Sequence, residues 1–104
     1  MGDKGLINVS QFLRQYESES TKKNYKTGLK TFFGVIYPKL TGEDLDLLSK
    51  RYFKEGRDFR SDVLIFKESL KSKAPTTIGN RLNSIRVFLD ENGINFPKRF
   101  DGFL

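Results

Sequence analysis

Two stretches of this chain repeat apolar residues every three or four positions, and that spacing puts them on one side of an α-helix. Tyr25, Leu29, Phe32, Phe33 and Ile36 form the first stripe, and Ile78, Leu82, Ile85 and Leu89, with Phe88 at the edge, form the second. A strand alternates its side chains with period two and would scatter both sets over two faces. Shorter sets follow the helical spacing too: Phe12, Leu13 and Tyr16; Leu45, Leu48 and Tyr52; Phe59, Val63, Phe66 and Leu70. The run from Val63 to Phe66 also suits a short strand when taken alone. The recurrence extends past the run on both sides, which favours helix. The predicted fold class is therefore all-α, a small bundle of four to five helices.

Helix boundaries are legible in the residues between the stripes. Ser10 is the expected cap of the first helix and Ser18 of the second, with Thr21 three residues on. Pro38 ends the second helix, because the residue before a proline is driven out of the α region. Thr41 and Asp44 resemble a capping box, with Asp in place of Glu, ahead of the third helix. That helix fades before Gly56, and Asp58 can cap the fourth. Pro75 suits the first turn of the fifth, where its missing N–H costs nothing. Asn92-Gly93 supplies a left-handed stop. The 104 residues read as one domain, with residues 1–8 and 97–104 as linker ends.

Composition narrows the chemistry. The chain has neither Cys nor His, so thiolate metal sites, disulfides and the commonest general base are all missing. No Gly-rich phosphate loop and no nucleophile beside a base can be found, so no cofactor is expected and the chain reads as something other than a complete enzyme. No leader-like segment and no apolar run of membrane length stands out, which leads us to expect a cytoplasmic protein with no membrane partner. Nineteen Lys and Arg against thirteen Asp and Glu give a formal net charge of +6. A basic balance favours a polyanionic partner without saying where it binds.

Placement sharpens that expectation. At about 100° per residue, Lys23, Thr27, Lys30 and Gly34 fall opposite Tyr25, flanked by Asn24, Lys26 and Thr31. The same projection puts Thr76, Asn80, Asn83 and Val87 opposite Ile78, with Thr77 and Ser84 on one shoulder and Arg86 on the other. Neither face holds an acidic residue until Asp90. Ordinary solvated helix faces mix Glu with Lys, whereas these collect Lys, Arg, Asn, Thr and Ser. Lys and Arg neutralise phosphates, and the amides and hydroxyls bond phosphate oxygens or base edges. Gly28 is expected at a tight helix–helix contact, and Gly34 and Gly79 towards the polar side. Tyr25, Phe32, Phe33, Phe66 and Phe88 belong to the apolar stripes and are expected in the core. Arg81 projects near the core boundary.

Two segments resemble a known family. Ser18-x-x-Thr21-x-x-x-Tyr25-x-x-x-Leu29-x-x-Phe32 is similar to the second helix of the core-binding, SAM-like domain of tyrosine recombinases, the phage integrase and Xer group. Pro75-Thr76-Thr77-Ile78-x-x-x-Leu82-x-x-Ile85-Arg86-x-Phe88 is similar to that domain's last helix, and Val9-Ser10-Gln11-Phe12-Leu13 to its first. The resemblance spans residues 9 to 94. It implies half of a C-shaped clamp on double-stranded DNA, with the second and last helices facing the duplex. Carried over by position, it implies DNA contacts from Ser20, Thr21, Lys22, Lys23, Lys26 and Lys30. On the last helix it implies Thr76, Thr77, Asn80, Arg81, Asn83, Ser84 and Arg86. Lys22, Thr21 and Arg81 enter mainly through the resemblance. Ala74 departs from the family's frequent capping Ser. The family's catalytic domain, with its Arg, His-x-x-Arg and nucleophilic Tyr, has no counterpart in these residues. The resemblance implies that it and other recombinase protomers are partners. A different reading is a SAM-type protein-interaction domain that meets an acidic partner.

Overall fold

Four of the helices begin at a side chain that caps them. A computed structural model of the chain describes residues 6–40 and 42–94, and among these there are five α-helices and no strand. They are α1 (Val9–Arg14), α2 (Glu19–Ile36), α3 (Leu45–Lys54), α4 (Phe59–Ser69) and α5 (Pro75–Glu91), with a single 3-10 turn at Pro38–Leu40. The Ser18 hydroxyl accepts from the Thr21 N–H, and the Asp44 and Asp58 carboxylates accept from the N–H groups of Asp46 and Ser61. Each such cap is worth about 1 kcal/mol. Gly93 follows α5 at φ +83° and Gly56 follows α3 at φ +61°, backbone that suits glycine.

The start of α1 differs from the expected cap at Ser10. Asn8 caps instead, accepting from the Gln11 N–H at 2.8 Å while the Gln11 side chain accepts from the Asn8 N–H at 2.9 Å. This reciprocal pair satisfies two helix-end donors at once, which a lone Ser10 could not. Ser10 is freed to tie α1 to α3, donating its N–H and hydroxyl to Asp46 at 2.8 and 2.6 Å. Thr41, expected in a capping box, lies outside the described residues, and Asp44 itself caps α3. The tail after Ile94 also lies outside them. Residues 7 and 8, read from sequence as part of a linker end, are anchored. The Ile7 N–H donates to the Asn92 amide oxygen at 2.7 Å, and the same Asn92 donates to the Phe88 carbonyl at 2.9 Å.

The core forms around α2, which touches each of the other four helices. Leu29, Phe32 and Phe33 are buried there, Phe12 and Phe88 meet edge to face at 5.2 Å, and Phe66 meets Phe32 at 5.3 Å. The run from Val63 to Phe66 is helical, as the longer recurrence required. At the α3–α4 junction Asp62 is buried and takes both hydrogen bonds of the Arg57 guanidinium, at 2.8 and 3.1 Å. A carboxylate out of water needs such a fork to offset its lost hydration.

Candidate nucleic-acid interface

The acidic residues are unevenly spread along the chain. Residues 20–42 contain five lysines and no Asp or Glu, and residues 69–89 contain two lysines and two arginines, again with no acid. Together the two segments hold nine of the nineteen basic residues. They contain nearly all of α2 and α5, which carry six of the nine, with Lys39, Lys71 and Lys73 in the flanking turns, and these two helices form the most extensive pairing among the described residues. The fold therefore lays one acid-free segment against the other.

A glycine makes that approach possible. A Cβ placed on Gly28 would lie 2.6 Å from both the Cβ and the Oγ of Ser84, a spacing real side chains do not tolerate. Gly28 is thus the contact point of the two backbones, as its sequence position suggested. Gly34 and Gly79 are different: a Cβ on either would meet nothing within 4 Å. Thr27 and Asn80 flank the crossing, since Thr27 precedes Gly28 and the Asn80 carbonyl accepts from the Ser84 hydroxyl at 2.9 Å.

On α2 the predicted contact residues Ser20, Lys23, Lys26 and Lys30 are exposed, and Thr21, Lys22 and Thr27 are half-buried. Lys22 pairs with Glu19 at 3.5 Å, an exposed pair worth little in water. No carboxylate among the described residues comes within 4 Å of Lys23, Lys26 or Lys30. On α5, Thr76, Asn80 and Arg86 are exposed, whereas Thr77, Arg81 and Asn83 are half-buried. The Asn83 amide oxygen accepts from Arg86 at 3.3 Å, which aligns two of the polar groups on that face.

Ser84 is a correction. Projected onto a shoulder of the polar face, it is only 1% exposed and sits under Gly28. The projection treats a helix as having one buried side, but α5 is covered on two: by the core and by α2. Arg81, placed near the core boundary from sequence, lies at the rim of the same crossing, with its carbonyl 3.5 Å from the Cβ position of Gly28.

A second difference concerns what stands opposite α2. Lys26 and Lys30 line a cleft of about 390 Å³ together with Ser10, Glu43, Asp44 and Asp46. The face is acid-free along its own helix, but carboxylates from the start of α3 stand across the cleft. Helix periodicity cannot register a charge that another element delivers. Of the rings expected in the core, Phe32, Phe33, Phe66 and Phe88 are buried, whereas Tyr25 is half-buried at its edge against Phe12 and Tyr16.

Among the described residues, no group of three or more Asp or Glu is arranged to hold a metal ion, and no helix is long and apolar enough to cross a membrane. What the surface offers is a row of ammonium groups, Lys23, Lys26 and Lys30, unpaired among the described residues and beside hydroxyls and amides, on helices packed against the core. Ammonium groups on such a scaffold suit phosphate oxygens, and flanking amides suit further phosphate or base-edge contacts. No family model, no curated protein and no solved structure matches this chain.

Proposed function

We propose that this domain binds double-stranded DNA along α2 and α5, as the clamp module of a site-specific recombinase or integrase whose cleavage chemistry lies in a separate C-terminal domain. One observation carries the DNA reading: α2 and α5, the two helices packed most extensively against each other, lie within two long acid-free segments that hold nine of the basic residues, six of them on the helices themselves. The recombinase assignment rests on the resemblance of the α2 and α5 motifs. In this reading Lys23, Lys26 and Lys30 contact phosphates, and Asn80, Asn83 and Arg86 supply modest base readout. Three phosphate contacts would give a salt slope of about −2.7 in log K against log salt, so isolated binding is weak and salt-sensitive.

The test is the double substitution Lys23→Glu and Lys30→Glu, with duplex binding followed by fluorescence anisotropy at low salt. Reversing two charges in a phosphate-binding row should weaken binding by at least about tenfold. Unchanged affinity in a folded variant would remove α2 from the interface.

A second reading has its own observation. Leu47 on α3 is 58% exposed beside a cleft of about 660 Å³ lined by Leu6, Ile7, Phe53, Lys50 and Lys54. A largely apolar cleft with Lys50 and Lys54 on its rim, and Asp46 also in its lining, suits an amphipathic protein segment that brings carboxylates to the lysines. If random duplex fails to bind at any salt concentration, this reading replaces the first.

A further inference from the structure

A row of lysines that binds phosphate should extend its footprint wherever its side chains reach. Lys26 and Lys30 face two ways. On one side they adjoin the exposed positions of α2 that continue towards α5, and on the other they line the cleft shared with Glu43, Asp44 and Asp46. The cleft's acidic wall is fixed in place. Asp46 is held by two hydrogen bonds from Ser10, at 2.8 and 2.6 Å, and Asp44 is tied to the first turn of α3 by its cap. Glu43 and Asp44 are exposed, so their charges face solvent across the cleft from Lys26 and Lys30.

We infer that these three carboxylates form an anionic border to the duplex-binding surface. They repel the DNA backbone from the α3 side and confine it to the α5 side of the lysine row. The inference rests on the DNA reading proposed above. It adds a repulsive element, which is how many interfaces fix the direction and register of a partner. The lysines need not be paired for this to work: a carboxylate several ångströms from a bound phosphate already opposes it. It follows that this surface is not tuned for the highest affinity. Removing the border should let the duplex spread towards α3 and bind more tightly.

The experiment uses the whole chain, three single variants and the double variant of the first two. Glu43→Gln and Asp44→Asn each remove one border charge while keeping side-chain shape, and Asn is a good helix cap. Glu55→Gln removes one charge at the opposite end of α3, about 15 Å away along a ten-residue helix. Binding to a 5′-labelled random 20-mer duplex is measured by anisotropy at about 0.1 M salt, where the Debye length is about 10 Å and distant charges are screened. The expected result is a gain of about two- to threefold for each border variant, about fivefold for the two combined, and little change for Glu55→Gln. Equal gains in all three variants would reduce the effect to net charge and overturn the border. No gain in any variant, with the parent chain binding, would overturn it too. Failure of the parent chain to bind would instead remove the DNA reading on which it rests.

Discussion

Replacing Gly28 by Ala tests the contact that brings the two basic helices together. The new methyl would lie 2.6 Å from the Cβ and Oγ of Ser84, roughly 1 Å inside ordinary contact. Ser84 has no route of escape: its Cβ is fixed to the α5 backbone, the side chain is 1% exposed, and its hydroxyl is bonded to the Asn80 carbonyl. The helices must therefore separate, and overpacking of this kind costs about 1–3 kcal/mol. Against this, Ala gains about 1 kcal/mol of helix propensity over Gly. With backbone-anchored atoms on both sides the upper part of the range applies, leaving a net loss of about 2 kcal/mol. In a domain of this size that lowers Tm by about 10 °C. Thermal and urea unfolding followed by circular dichroism measure it. The companion variant Gly28→Ala with Ser84→Gly returns the missing space and should recover stability relative to Gly28→Ala alone, with a coupling of about 1–2 kcal/mol. If Gly28→Ala were as stable as the parent chain, or more stable by its propensity gain, the close crossing of α2 and α5 would be refuted.

Other consequences follow from single residues. Asn92→Ala removes both the acceptor of the Ile7 N–H and the donor to the Phe88 carbonyl, and should cost about 2 kcal/mol while the Ile7 amide loses its protection from hydrogen exchange. Unaltered Ile7 exchange would show that the N-terminal segment is not held there. The tyrosines make a prediction about alkaline pH. Burial pushes the Tyr16, Tyr37 and Tyr52 phenols above their ordinary value, with Glu55 adding to the effect at Tyr37 through a 2.6 Å hydrogen bond. The folded protein then holds phenolic protons that the unfolded chain has released, so stability falls as pH rises above about 10 and is unaffected by these groups below it. Absorbance at 295 nm should show three phenols lagging behind free tyrosine, with the lag ending where the helical signal is lost. Phenols that all titrate at the ordinary value in a folded chain would contradict this burial.

How much of this was legible in the sequence depends on how local each cause is. The five helices follow from apolar spacing and from stops such as Pro38, Gly56 and Gly93, all of which act within a few residues. Gly28 was legible as a packing glycine because an unneeded glycine inside a helix invites a reason. The cap at Asn8 was displaced onto Ser10 because both residues can cap, and the choice turns on Gln11 closing a reciprocal pair. Ser84 was misplaced for a longer-range reason: a helical projection knows one buried side, and the second side of α5 is made by α2. The carboxylates opposite Lys26 and Lys30 were beyond the same method, since Glu43, Asp44 and Asp46 reach the cleft only through the packing of α3. Lys23, Lys26, Lys30, Thr76, Asn80 and Arg86 are exposed, as the two projections or the family motif placed them, because each position turns away from its helix's apolar stripe.

The claim that α2 and α5 grip duplex DNA is tested most directly by titrating a short duplex into isotope-labelled protein and following the backbone and side-chain resonances. The chain carries its own control, because Lys50 and Lys54 on α3 are exposed like Lys23, Lys26 and Lys30 on α2. The account predicts shifts centred on Lys23, Thr27, Lys30, Thr76, Asn80 and Asn83 that diminish together as salt is raised, with Lys50 and Lys54 unmoved. Shifts spread evenly over every exposed lysine, or centred on α3 around Leu47, would contradict it.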